Sequence, residues 1–454
     1  VIQRFIVTSF GKPLVALLLV IACSAMGVVT FRELPRDVFP DLSAPVFNII
    51  VQNAAMGSEE LETRVTIPIE TSLSGLPNVR RVRSQSTLGV AQVTIEFDTD
   101  ADYSKSRQFV AERLSQIELP PGTGEPLLSS LTGRLNEIYE ITIEAAPGSA
   151  DLMSLRDLAE NEIKNRLLAV PGVAAVERLG GYLREFQVQI DPDRIAARGV
   201  TLDEIVHATE GANVSAAGGF VTQGQMEWTV RANGRAESVE ELRETVVAMR
   251  GGTPVLLGDV ADVREAPAVR RGLAHRLAGE VVSCRIVKQF GADTVKVSEG
   301  IREAIADLKP SLPKGVSIRI VYDQAQLVQS SLGGVGRAVL IGAGLVAFVL
   351  FVLLGNVRAA LLVTLTLPLS LALSGLLLRI AGIGINTMTL GGLAIAVGLL
   401  VDSSIIVVEN VIHRLSQHRE GDRKAHALAA AVEVGRPIAF ATLIVCAVFV
   451  PLFA

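Results

Sequence analysis

Asp402 and Glu409 stand inside a long apolar stretch, Met388 to Val411, that contains no basic residue. A carboxylate at the middle of a bilayer costs roughly 2.5–3.5 kcal/mol on insertion scales, so such residues usually face a bundle interior and serve ion or proton pathways. Seven positions separate the two acids. That is two helical turns, which puts both on one face about 10 Å apart along the axis. Asp402 falls near the centre of the stretch and Glu409 near its end. The competing reading for each is a buried, hydrogen-bonded acid that only holds helices together. Glu409 has a further alternative, contact with interfacial water.

Composition agrees with a membrane setting. The chain has 454 residues, more than one ordinary domain needs. Apolar residues make up 49% and charged residues 20%, the mixture of a membrane protein with a large aqueous portion. The net charge is only −5 and no long basic run occurs, so nucleic-acid binding has no support. Of the three cysteines, Cys23 and Cys446 fall in apolar runs and Cys284 alone lies in the polar region, which excludes a disulfide within that region. No CxxC, HExxH or P-loop pattern and no nucleophile–base motif occurs, so nothing points to an enzyme or to a bound cofactor.

The elements that must hold the acids follow from hydropathy. Leu14 to Phe31 is an apolar run of spanning length, preceded by Arg4 and Lys12. An uncleaved first helix is favoured over a signal peptide, because no small-x-small site precedes Arg32. Val1 to Phe10 reads as a short interfacial helix. Three further spans follow at Leu332–Leu354, Ala359–Ile380 and Asn386 to about Ile412, the last with Asn386 or Thr387 as N-cap. A fifth opens at Pro437, read as lying near its first turn. The basic residues Arg414, Arg419, Arg423, Lys424 and Arg436, together with Arg358, Arg4 and Lys12, fall on one side if every span crosses once. The positive-inside rule makes that side cytoplasmic and sends the stretch between residues 32 and 331 to the outside or the periplasm.

That stretch reads as repeated βαβ units. In the first, strands at Val46–Val51, Val79–Ser86 and Ala91–Phe97 accompany helices at Ser58–Leu73 and Tyr103–Ile117. In the second, a strand at Ile138–Glu144, a helix at Leu152–Leu168 and strands at Val173–Leu179 and Phe186–Ile190 follow the break Pro120-Pro-Gly-Thr-Gly-Glu-Pro126. Gly75-Leu-Pro-Asn-Val79 and Val170-Pro-Gly-Val173 take equivalent places before the returning strands. Glycine clusters from about Gly211 to Ala278 mark a β-rich insertion, after which Glu280–Gln289, Val295–Leu308 and Ser317–Tyr322 complete the second unit.

Arg36-Asp-Val-Phe-Pro-Asp41, Leu354-Gly-Asn-Val-Arg358, Asn386 through Asp402 to Glu409-Asn-Val411, and Gly435-Arg-Pro-Ile-Ala-Phe-Ala-Thr442, in this order around a large insert, resemble the N-terminal half of a resistance–nodulation–cell division (RND) efflux transporter of the heavy-metal branch. The resemblance covers essentially the whole chain. It implies an α+β multi-pass membrane protein: a transmembrane helix bundle with a periplasmic porter insert of repeated βαβ units and a β-rich docking subdomain. The expected divisions are 1–31 (interfacial helix and first span), 32–130 (first porter subdomain), 131–331 (second porter subdomain with docking insert at about 211–278) and 332–454 (spans two to five, the fifth truncated). It further implies a proton/substrate antiporter in the bacterial inner membrane, a homotrimer working with a periplasmic adaptor protein and an outer-membrane channel. Asp402 matches the proton carrier and Glu409 a second acid of the metal branch. The carrier's basic and hydroxyl partners belong to later helices, so the chain is expected to be about half of a transporter.

For the substrate, Met388 matches a methionine of copper and silver members near the entrance of this helix. Leu400 and Val407 stand where further methionines are expected, and Ala396 stands where divalent-metal members carry an acid. The six methionines form no cluster, His207 and His275 are isolated, and His413, His418 and His426 share a basic loop. Glu59, Glu60 and Glu62 read as a solvated helix face. An exporter of organic compounds is the first alternative, although its members carry adjacent aspartates and Asp402 is followed by Ser403. A non-efflux relative, lipid-binding or in protein export, is the second, and the duplicated insert speaks against it.

Overall fold

A computed structural model describes the chain except residues 1, 39–43, 54, 129–135, 213–215, 224–225, 233–234, 271, 278, 355–356, 418–421 and 450–454. Part of the motif at Arg36–Asp41, the turn at Gly355–Asn356, His418, Arg419 and the end of the fifth span lie outside the described residues. The chain opens with α1 (Ile2–Gly11) and α2 (Pro13–Glu33), where Pro13 starts the apolar helix at a position that needs no backbone N–H.

The first repeat runs β1 (Val46–Gln52), α3 (Ser58–Leu61), a π turn, α4 (Ile67–Ser74), β2 (Val79–Thr87), β3 (Val90–Phe97), α5 (Tyr103–Ser115) and β4 (Leu127–Leu128). Its antiparallel sheet has the order β2-β3-β1-β4. Alternation places Phe47, Ile49 and Val51 of β1 inward, where they meet Leu61, Val65 and Ile69 of the helix and Val110 of α5. Asp102 caps α5, its carboxylate accepting from Lys105 N at 2.8 Å.

The second repeat uses β5 (Glu137–Ala145), α6 (Leu152–Leu158), a π turn, α7 (Lys164–Leu168) and β6 (Val173–Leu179). An inserted unit follows: β7 (Arg184–Ile190), α8 (Pro192–Arg198), α9 (Leu202–Gly211), the hairpin β8 (Ala216–Gln223) and β9 (Met226–Ala232), α10 (Val239–Arg243), β10 (Val246–Arg250), β11 (Thr253–Leu256), α11 (Leu257–Val260) and β12 (Ala261–Pro267). Then β13 (Ala274–Arg276) and β14 (Gly279–Lys288) lead into α12 (Thr294–Leu308) and β15 (Val316–Asp323). The sheet order is β6-β14-β5-β15, which by order of appearance is the 2-3-1-4 of the first repeat. Both first helices carry a π turn, at Glu62–Thr66 and Ala159–Ile163. In both repeats a left-handed residue, Asn78 or Gly172, turns the chain into the returning strand.

One strand sits elsewhere than its sequence predicts. Phe186–Ile190 does not return to the second repeat's sheet. It belongs to β7, which pairs antiparallel with β12, Ile190 opposite Ala261. The place expected for it beside β6 is taken by β14, more than a hundred positions after β6. The insertion therefore begins near Arg184 rather than Gly211 and closes near Pro267. Its own core joins Val200, Ile205, Leu242, Val255, Leu257 and Val263. Alternation marks a strand but not its partner, and Gly180 and Gly181, both left-handed, carry the chain away from β6.

Four long helices complete the chain: α13 (Gln324–Leu354), α14 (Val357–Ile380), α15 (Thr387–Gln417) and α16 (Arg423–Phe449). Among the described residues α2, α14, α15 and α16 are long and apolar enough to cross a membrane. α16 starts fourteen positions before Pro437 and holds that proline in its interior rather than at its first turn. The segment Arg423–Arg436, read as a charged loop, is rich in alanine and other good helix formers, which charge alone does not unfold. α13 likewise starts at Gln324, directly out of β15, eight positions before the expected span.

The crossing of α2 and α14 is backbone to backbone. A methyl added at Gly27 would collide with the Ala372 carbonyl, and one at Gly375 would lie 2.9 Å from the Phe31 ring and 3.2 Å from the Gly27 oxygen. Small residues let membrane helices approach this closely. Gly27→Ala is expected to lower stability by about 1–3 kcal/mol, the usual cost of overpacking. Gly11→Ala, with open space around it, is expected to change nothing. Thermal unfolding of the complete protein in detergent checks both, and equal midpoints would remove the close crossing.

Candidate functional site

α15 is held first at its N-terminus. Asn386 is its N-cap: the side-chain oxygen accepts from Thr389 N at 2.9 Å, and Asn386 N donates to Thr389 Oγ1 at 2.8 Å. One face of the helix then packs against its neighbours. Val401, Ile405 and Val408 meet Ala360, Val363 and Leu367 of α14 and Ala343 of α13. Thr366 and Ser404 share a hydrogen bond of 3.3 Å. Lower down, Asn410 Nδ2 donates to the Ala430 carbonyl at 3.0 Å, and Arg414 pairs with Glu433 at 2.6 Å, which ties α15 to α16.

Asp402 and Glu409 lie off this packed face and are both exposed. Their neighbours by helical spacing are Ile395 and Ile406, also exposed, and Gly391 and Gly398, beside which an added methyl would meet nothing. Among the described residues neither acid has a hydrogen-bond or ion-pair partner. The adjacent hydroxyls do not supply one. Ser403 Oγ donates to the Leu399 carbonyl at 3.0 Å and Ser404 Oγ to the Leu400 carbonyl at 2.8 Å. What results is an apolar helix face carrying two carboxylates two turns apart, open along its length. In a membrane such a face needs further helices to shield it from lipid.

Met388 is also exposed, but the structure does not bring it to the acids, since it lies about 21 Å from Asp402 along the helix axis. Among the described residues no group of three or more His, Cys, Asp or Glu side chains could hold a metal ion. His207 lies 3.8 Å from Glu210 on an exposed helix face, and His413 shares a hydrogen bond of 2.9 Å with Gln417. Glu59, Glu60 and Glu62 are exposed, and Glu60 pairs with Arg64 one turn on. Cys284 is sealed in the core of the second repeat, where burial pushes its thiol up to about 12. It is packing, not chemistry.

Sequence reasoning passed over the support of α15 from above. The strap between α2 and the first repeat, Leu34–Val38, lies against both the N-terminus of α15 and the loop before α12. Its visible signal was the Arg36–Asp41 motif, whereas the buried Lys288 gave none, since its strand also carries Glu280 and Arg285.

Residues 5–454 match the AcrB/AcrD/AcrF family. Over its whole length the chain is 31% identical to the cobalt-zinc-cadmium resistance protein CzcA of Cupriavidus metallidurans and 33% identical to the cation efflux system protein CusA of Escherichia coli K12. The chain covers 44% of each of these relatives. A solved structure of a heavy metal efflux pump superposes with a TM-score of 0.85 at 29% identity, over 99% of this chain and 44% of that one. The chain thus spans less than half the length of the curated relatives it matches.

Proposed function

The chain belongs to the AcrB/AcrD/AcrF family of RND transporters, and from that premise we propose that it forms part of a proton-driven exporter of heavy-metal cations. The observation that carries the reading is the exposed Asp402–Glu409 face of α15. In this reading Asp402 carries the proton, and Glu409, one step along the same face, relays it toward water. In a dry bundle the ionised aspartate is disfavoured, and a nearby cation reverses that preference. Alternate exposure to water and to a basic partner on another helix then switches its charge. Met388, near the start of the helix, is a candidate soft ligand for the exported metal. The substrate class rests on the relatives, whose names include cation efflux and cobalt-zinc-cadmium resistance.

Orientation has support in the contacts. α1 lies on α16, with Ile6 against Gly435, so Arg4 and Lys12 share a side with Arg423 and Lys424. At the opposite end Glu33 pairs with Arg379 at 2.5 Å, beside the soluble repeats. The basic side is cytoplasmic by the positive-inside rule, and the repeats face the periplasm from the inner membrane. There they act as porter subdomains and the inserted unit as a docking piece, within a homotrimer joined to an adaptor protein and an outer-membrane channel.

The test is resistance and accumulation in an efflux-deficient host carrying the complete gene, measured for zinc, cobalt, nickel, copper, silver and a panel of dyes. Resistance to a set of metals is expected. Dye resistance without metal resistance would move the protein to the organic-compound exporters.

A further inference from the structure

We propose that the strap Leu34–Val38 transmits movement of α15 to the second soluble repeat, with Asp37 and Lys288 as the positioning residues. The inference rests on the reading of α15 as the proton-carrying helix and adds the route by which its state reaches the soluble region.

On one side the strap is bonded to the start of α15. Asp37 N donates to the Ile385 carbonyl at 3.0 Å, and Ile385 N to the Pro35 carbonyl at 2.8 Å. The Val38 carbonyl accepts from Thr387 twice, from N at 3.1 Å and from Oγ1 at 2.8 Å. The approach is close enough that a methyl at Gly384 would sit 2.8 Å from the Pro35 oxygen. On its other side the strap meets the loop that begins α12. Thr294 N donates to the Arg36 carbonyl at 3.2 Å, and Arg36 Nε to Asp293 at 3.2 Å. Asp37 takes the ammonium of Lys288 and the hydroxyl of Thr294, the latter at 3.1 Å. Asp293 in turn caps α12, accepting from Val295 N at 2.9 Å and Lys296 N at 3.0 Å.

Burial decides how much these contacts matter. Lys288 is 4% exposed and Thr294 fully buried. A buried ion pair adds little net stability, whereas its loss leaves an uncompensated charge, so its use lies in fixing which groups stay together. Here it fixes the first residues of α12 to a strap that moves with α15. A helix is stiff along its axis, so a shift at Asp402 reaches residue 387, about 22 Å away, with little loss. The same loop carries Phe290, whose ring stacks on Tyr103 of the first repeat at 5.3 Å, and Tyr103 stacks on Phe47 at 5.0 Å. A cleft of about 320 Å³ beside the ion pair, lined by Asp37, Lys288, Phe290, Gly384 and Asn386, leaves the loop room to move.

The test uses the complete protein with spin labels at Glu303→Cys on α12 and Ser416→Cys on α15, both exposed. Asp402→Asn imitates the protonated carrier. The label-to-label distance is expected to differ between the parent and Asp402→Asn, and this difference is expected to vanish once Asp37→Asn and Lys288→Met are added. In proteoliposomes the Asp37 and Lys288 variants should also slow zinc-driven proton exchange by roughly tenfold, with zinc affinity by equilibrium dialysis unchanged. The exchanged pair, Asp37→Lys with Lys288→Asp, should recover part of the rate. Thr294→Val, which removes one neutral contact, replaces the charge variants if they fail to fold. A distance that does not respond to Asp402→Asn, or one that still responds without the ion pair, overturns the link. Exchange that persists in Asp402→Asn overturns the carrier assignment instead, so the two failures are distinguishable.

Discussion

Asp402→Asn in the complete protein is expected to leave the host as metal-sensitive as one without the transporter, at equal protein level. Asparagine keeps the size of the side chain and its capacity to accept a hydrogen bond, and it removes the exchangeable proton. It also removes much of the roughly 2.5–3.5 kcal/mol that an aspartate costs at mid-membrane. The variant should therefore insert and fold at least as well as the parent, so a loss of export reports on proton chemistry. Glu409 does not stand in for it. It lies two turns away on the same face, too far to reach a partner placed for Asp402. Glu409→Gln is accordingly expected to slow export without abolishing it. Resistance and whole-cell metal content, with membrane protein quantified by immunoblot, decide the matter. Full resistance in Asp402→Asn would end its role as carrier and pass that role to Glu409.

Much of this site could be read from residue types. Two acids at a seven-residue spacing inside an apolar run define a face before any coordinates exist, and Asn386 announces where the helix begins. Both βαβ repeats were visible because their strands alternate and their helices are amphipathic. Pairing was another matter. β7 and β14 both look like a third strand for the second repeat, and only β14 lies beside β6 and β5. The choice is made by contacts across more than a hundred residues, for which local pattern holds no signal. The start of α16 was hidden for a different reason. Charge suggests a loop, although a helix leaving the membrane carries charge readily on its solvated turns. The strap's contacts could not be foreseen. Arg36 and Asp37 stand out as part of a motif, but the motif does not say what they touch, which is decided by Asp293 and Lys288 arriving beside them.

A second large effect is expected where the soluble region turns into the membrane. Asp323 ends β15, and its carboxylate has two duties. One oxygen accepts from Ala325 N at 3.0 Å and so caps α13, the helix that runs from the sheet into the bundle. The other holds Arg302 of α12, accepting from Nε at 3.0 Å and from a second guanidinium nitrogen. The Asp323 side chain is 1% exposed and that of Arg302 36%. Asp323→Ala removes the cap and leaves a half-buried guanidinium without its partner. Breaking a fully buried pair costs about 3–5 kcal/mol, and the partial exposure of Arg302 lowers this toward about 2–3 kcal/mol. The lost cap adds about 1 kcal/mol. Asp323→Asn retains one oxygen for the cap but turns the other into an NH2 that cannot accept from Arg302, so it should fall between the parent and Asp323→Ala. Pairing Asp323→Ala with Arg302→Met removes the stranded charge and should restore part of the loss. Unfolding midpoints of the complete protein in detergent test this order. If Asp323→Ala unfolds with the parent, the junction between β15 and α13 is held by packing alone, around Ala325 and Val328, and the ion pair contributes nothing to it.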